Sequence, residues 1–185
     1  MGANANNALF FLVTTLFNLY LGAVMLRILL QWVRADFYNP VSQLVWKVTQ
    51  PLAGPLRNIV PRWRQLDTAG LVVLLVLCFI FIQLVMWMLS MHTTVGYAIW
   101  YALLKAVSVL LGLYTLSIFA EAILSWVGPG INNPAANILW SINEPLLRPV
   151  RRVIPPIGGL DLSPLAVILG LQVLSRLLPL PGFFH

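Results

Sequence analysis

Few side chains in this sequence can do chemistry, and the two that matter most are charges inside apolar runs. Arg27 and Glu121 each stand five residues before a tryptophan, Trp32 and Trp126. At about 1.5 Å per residue both lie roughly 7 to 9 Å inside the level of those rings, where an unpaired charge costs about 2 to 3 kcal/mol or more. Their opposite signs predict a pair across a pseudo-twofold axis. Two other readings stay open: Arg27 can snorkel to the headgroups on its long stem, or the two charges can line an ion path. Catalysis finds no foothold. No run holds an acidic pair, His92 and His185 are single, and Cys78 stands alone in an apolar stretch. The expectation is no enzyme, no cofactor and no metal site.

The elements that must hold these charges follow from composition. A chain of 185 residues with 60% apolar residues, 9% charged residues and a mean hydropathy of +0.89 carries far fewer charges than the roughly one quarter of a soluble domain. That predicts an all-α integral membrane protein and excludes disorder, collagen and disulfide scaffolds. The net charge of +6 is spread over flanks and short loops and forms no stripe, so no nucleic-acid partner is expected. No secretory signal is expected either, because the first apolar run lacks a basic leader and is too long. A bilayer core of about 30 Å asks for about 20 apolar residues, and four runs qualify: 8–33, 69–91, 97–127 and the shorter 163–178. Lys105 and Arg176 are expected to snorkel outward. Trp87 and Trp100 join Trp32 and Trp126 in an interfacial belt. Ala98, Ala102 and Ala106, then Ser108 and Gly112, with Ala166 and Gly170, give small residues four apart for close packing.

Arg34, Lys47, Arg57, Arg62 and Arg64 lie between the first two runs, and Arg148, Arg151 and Arg152 between the last two. Since residues 92–96 contain neither Lys nor Arg, both termini are predicted outside, with two cytoplasmic loops, 34–68 and 128–162. Those loops are copies. A shift of 94 residues lays Asn39-Pro40 on Asn133-Pro134, Trp46 on Trp140, Pro51 on Pro145, Pro55 on Pro149, Arg57 on Arg151, Pro61 on Pro155 and Asp67 on Asp161. The chain thus reads as two repeats, 1–93 and 94–185, each span, loop, span. Each crosses twice, so the repeats are parallel, related by an axis along the membrane normal.

Within each loop, Asn39 and Asn133 are predicted N-caps and Pro40 and Pro134 first helical residues. Apolar residues at 41, 44, 45 and 48, and at 135, 138, 139 and 142, predict short amphipathic helices in the headgroup region. The prolines at 51, 55, 145 and 149 are expected to permit at most short helical turns. Asp67 and Asp161 are placed as caps of the following spans. The loop arginines Arg57, Arg148, Arg151 and Arg152 suit anionic lipid headgroups or an acidic partner segment, with topology alone as the other reading.

These motifs, with Arg-x4-Trp at 27–32, Asp-Phe-Tyr-Asn-Pro at 36–40, Thr-Gln-Pro at 49–51, Pro-Leu-Arg at 55–57 and Glu-Pro-Leu-Leu-Arg-Pro at 144–149, resemble the YggT family of bacterial inner-membrane proteins, called YlmG in Gram-positive bacteria and plastids. The resemblance implies osmotic and ionic stress tolerance, genes near the division cluster and, in plastid relatives, nucleoid distribution and attachment of haem to a cytochrome. Glu121 departs from the Arg27 of the first copy, so no role of an arginine there carries to both repeats. The function expected is a non-catalytic scaffold or assembly factor at the cytoplasmic face of the inner membrane, contacting lipid and a membrane partner or a second copy. An oligomeric ion channel or transporter component is the alternative.

Overall fold

The computed structural model describes residues 2–57, 60, 66–127, 133–154 and 161–184. Pro61, Arg62, Arg64, Pro155 and His185 lie outside these, as does the side chain of Trp126. The elements are α1 (Gly2–Trp32), α2 (Pro40–Leu56), α3 (Thr68–Met88), α4 (Val95–Val127), α5 (Pro134–Val153) and α6 (Ser163–Leu177), then a 3-10 turn at Gly182–Phe184. Among the described residues the architecture is all-helical, and α1, α3 and α4 are each long and apolar enough to cross a membrane. α3 packs between α1 and α4, and α4 also touches α1, α5 and α6.

The fourth expected crossing is a helix of only 15 residues, about 22 Å, short of a bilayer core of about 30 Å. Its length is set by α4. Lys105 does not snorkel outward: it is buried, its Nζ donates to the Phe184 carbonyl at 2.6 Å, and it lies 4.7 Å from the centre of the Phe81 ring. Pro179 and Pro181 end the helix, and the following turn tucks Phe184 against Tyr101, so the tail that closes α6 is fixed at the level of Lys105. Sixteen residues of α4, about 24 Å, separate Lys105 from Glu121, and α6 fills that interval.

Ala98 and Ala102 pack α4 closely on α3, beside Cys78, Phe81 and Val85. Gly112 and Gly170 do not share that role, since a side chain at either would meet open space. Trp32, Trp87 and Trp100 are exposed.

α2 and α5 begin at the predicted residues, with Asn39 Oδ1 accepting from the Val41 N–H and Asn133 Oδ1 from the Ala135 N–H, both at 2.9 Å. The prolines do not reduce them to short turns: α2 runs through Pro51 and Pro55, and α5 through Pro145 and Pro149. Each pair is four residues apart on the exposed side, so the carbonyls left without a helical donor, at 47, 51, 141 and 145, face outward rather than into the packed core. The predicted apolar face divides between the copies. Ile138 and Ile142 of α5 are buried, whereas their counterparts Leu44 and Val48 are exposed, and α2 instead turns Ser42, Val45, Thr49 and Ala53 inward.

Candidate functional site

α2 lies against α1 and α3, α5 against α4 and α6, and the two loop helices meet where Asn39 Nδ2 donates to the Pro134 carbonyl at 2.7 Å. Asn39 therefore does two things, capping its own helix with its oxygen and binding the start of the other copy's helix with its amide.

The expected pair of Arg27 and Glu121 does not form; each is satisfied inside its own copy. The Arg27 Nε donates to Asp67 Oδ2 at 2.7 Å, with the two side chains 2% and 3% exposed. Its Nη1 donates to Thr49 Oγ1 at 3.0 Å and its Nη2 to Gln50 Oε1 at 3.2 Å. Asp67 is placed by its cap duty, Oδ1 accepting from the Gly70 N–H at 3.2 Å at the start of α3. That leaves Oδ2 aimed at the neighbouring span, a shorter and more local solution than a partner on α4. Arg27 also lies 4.1 Å from the centre of the Trp46 ring, and Arg57 lies 4.5 Å from it, both within cation–π range.

The second copy uses the same register with the signs rearranged. Glu121 Oε2 accepts from Asn143 Nδ2 at 2.7 Å, and the fully buried Asn143 accepts in turn from Ser117 Oγ at 2.6 Å. Arg151 is the hub, donating to Asp161 and Glu144 at 2.8 Å each and lying 3.9 Å from Glu121. Asp161 also accepts from the Ser163 N–H at 2.9 Å, at the start of α6. Partial burial works against the carboxylate, but the Ser163 N–H and the Arg151 guanidinium outweigh it and hold Asp161 below its ordinary 3.8. Burial likewise opposes the Arg151 charge, and the carboxylates of Asp161, Glu144 and Glu121 overcome it, raising its pKa.

Positions 27, 49, 50, 57 and 67 thus cluster in the first copy as 121, 143, 144, 151 and 161 do in the second. Sequence reasoning missed Thr49, Gln50, Asn143, Glu144 and Ser117 as partners. The available signal was the pair of polar residues just before the aligned proline, Thr-Gln-Pro and Asn-Glu-Pro. Arg148, Arg152 and Trp140 are exposed and outside both networks, and the described residues contain no group of three or more His, Cys, Asp or Glu that could hold a metal. Chemically, the buried polar groups serve to lock loop helix to span.

The described residues, all-helical with three long apolar helices and polar clusters where the loop helices dock, have membrane-protein character. The chain belongs to the CCB3/YggT family, whose sequence model matches it twice, over residues 6–89 and 100–181, the two matches starting 94 residues apart. It is 41% identical over 176 residues to "Uncharacterized protein in proC 3'region" of Vibrio alginolyticus, covering 93% of this chain and 94% of that one. It is 40% identical over 169 residues to "Uncharacterized protein YggT" of Escherichia coli, covering 91% and 88%. An "Uncharacterized protein" of Haemophilus influenzae is 32% identical over 174 residues, covering 89% and 87%. No solved structure matches.

Proposed function

We propose that this protein is a non-catalytic scaffold or assembly factor of the bacterial inner membrane, with α2 and α5 at the cytoplasmic face and both termini periplasmic. In this reading α6 crosses the bilayer with α1, α3 and α4 as two parallel hairpin repeats, and the membrane thins by several Å around the shorter second hairpin. The observation that carries the reading is the 2.7 Å bond from Asn39 to the Pro134 carbonyl, which joins two loop helices already locked to their own spans. Their outer side exposes Lys47, Arg148 and Arg152 beside Leu44, Val48 and Trp140, a mixed basic and apolar surface suited to anionic headgroups and to a membrane partner or a second copy. A role in osmotic or ionic stress rests on the family resemblance.

An ion path would need polar groups facing a channel, whereas Arg27 and Glu121 are bound within closed clusters. Two measurements separate the readings. In proteoliposomes, tracer cation flux should stay at the level of protein-free vesicles. In a deletion strain under hyperosmotic stress, the triple change Lys47→Glu, Arg148→Glu and Arg152→Glu should abolish complementation at unchanged protein level. Flux well above background that disappears in Glu121→Gln would instead establish transport.

A further inference from the structure

Between the end of α1 and α2 lies a cavity of about 220 Å³ whose polar lining is Arg27, Gln31, Arg34 and Ser42. Two cations line it and no carboxylate does. Arg27 has five N–H groups, of which the contacts to Asp67, Thr49 and Gln50 use three, and the guanidinium of Arg34, an exposed residue at the cavity rim, makes no hydrogen bond or ion pair with the described residues. Ser42, only 7% exposed, buries an Oγ that also lacks a hydrogen-bond partner among the described residues. A buried hydroxyl without a partner is costly, so it marks a place where an acceptor belongs. The remaining wall is apolar, formed by Leu30, Val45 and the edge-to-face rings of Phe37 and Trp46, 5.8 Å apart.

Backbone strain points to the same place. Arg34 ends α1 in the left-handed region at φ 55, with the Ala35 N–H donating to the Leu30 carbonyl at 2.9 Å and the Arg34 N–H to the Gln31 carbonyl at 3.2 Å. Glycine is the favoured residue at that step of such a helix end. The second copy has glycine there, Gly128, and it has Ala136 where the first has Ser42 and Ser125 where the first has Gln31. The first copy thus keeps a strained arginine and a buried hydroxyl at two positions where its own duplicate does without them. Ser90 shares the φ of 55 and Ser163 the unpartnered hydroxyl, but at this cavity the two features meet beside a pair of arginines, which points to a binding site.

We infer that this cavity binds a phosphate group carried on an apolar or glycerol stem, the oxygens taking donors from Arg34, Ser42 and Arg27 while Phe37, Leu30 and Val45 hold the stem. Guanidinium groups match phosphate oxygens in geometry as well as charge. The source is either an anionic phospholipid of the surrounding leaflet or a soluble organophosphate. The inference stands on the cavity and does not depend on the scaffold reading.

The test uses the full chain, stripped of lipid in detergent, with native mass spectrometry counting bound ligand. The probes are short-chain phosphatidylglycerol and glycerol 3-phosphate. One phosphatidylglycerol per chain with saturable binding, no binding of glycerol 3-phosphate, and a roughly tenfold loss in Arg34→Gly and Ser42→Ala support the lipid source. Binding of glycerol 3-phosphate that competes with the lipid and falls in the same two variants supports the soluble source. Arg34→Gly is compatible with φ 55, so its thermal midpoint should equal or exceed that of the parent chain, which keeps lost binding distinct from lost folding. Arg176→Gln, an exposed charge on α6, should bind as the parent does. Wild-type affinity in both cavity variants, or no binding of either probe, overturns the inference.

Discussion

Arg27 and Asp67 form a pair almost wholly removed from solvent. Removing one member of such a pair costs about 3 to 5 kcal/mol, because the other charge remains buried and unpaired. Arg27→Ala should therefore lower the unfolding midpoint in micelles and deplete the protein in cells, and Asp67→Asn should cost more than the roughly 1 kcal/mol of a lost helix cap. A double-mutant cycle on Arg27 and Asp67 should give a coupling above about 2 kcal/mol, and the cycle on Arg27 and Glu121 less than about 0.5 kcal/mol. Arg151 and Asp161 occupy the matching register with side chains 34% and 37% exposed, so their link contributes only about 0 to 1 kcal/mol. Its pH dependence has a definite sign. With its folded pKa depressed, Asp161 contributes stability that is present above its ordinary 3.8 and lost as pH falls through the folded value. The midpoint of the parent chain should accordingly drop further as pH is lowered below 3.8 than that of Asp161→Asn. Asp67 was legible in the sequence as a cap, because a cap is decided by its neighbours. The partner of its second oxygen was not, because that depends on how α1 lies beside α3, forty residues away.

Among the elements, the starts of α2 and α5 were legible because an asparagine cap followed by proline is a local signal that the fold has no reason to override. The two caps are nonetheless unequal. Asn39→Ala loses both the Val41 cap and the bond to the Pro134 carbonyl, so it should destabilise by about 1 kcal/mol more than Asn133→Ala, which loses a cap alone. Hydrogen exchange should show the difference directly: Asn39→Ala loosens the first turns of both α2 and α5, and Asn133→Ala only that of α5. The continuation of these helices past their prolines was not legible, because a proline breaks a helix or merely bends it according to what reaches the carbonyl it orphans. Here the orphaned carbonyls face outward. The length of α6 was legible, since the apolar run 163–178 ends at Pro179 and the helix spans Ser163–Leu177, but its anchor was not: hydropathy counts residues, while the burial of Lys105 against the Phe184 carbonyl is a contact across 79 positions of chain.

For the whole molecule, the doubling was legible because tryptophan, proline and asparagine keep their places in both copies, and the family match begins twice, 94 residues apart. What distinguishes the copies was not legible. The rearranged signs of the two clusters, the face on which each loop helix packs and the cavity beside Arg34 arise from packing, and the same apolar letters serve either outcome. In the proposed arrangement α2 and α5, joined through Asn39 and Pro134, lie on one side of the membrane. Single cysteines at the exposed positions of Lys47 and Arg148, in a Cys78→Ala background, measure this with a membrane-impermeant maleimide. Both sites should resist labelling in intact cells and react in inverted vesicles; reaction of one in intact cells and of the other only in inverted vesicles would contradict the account.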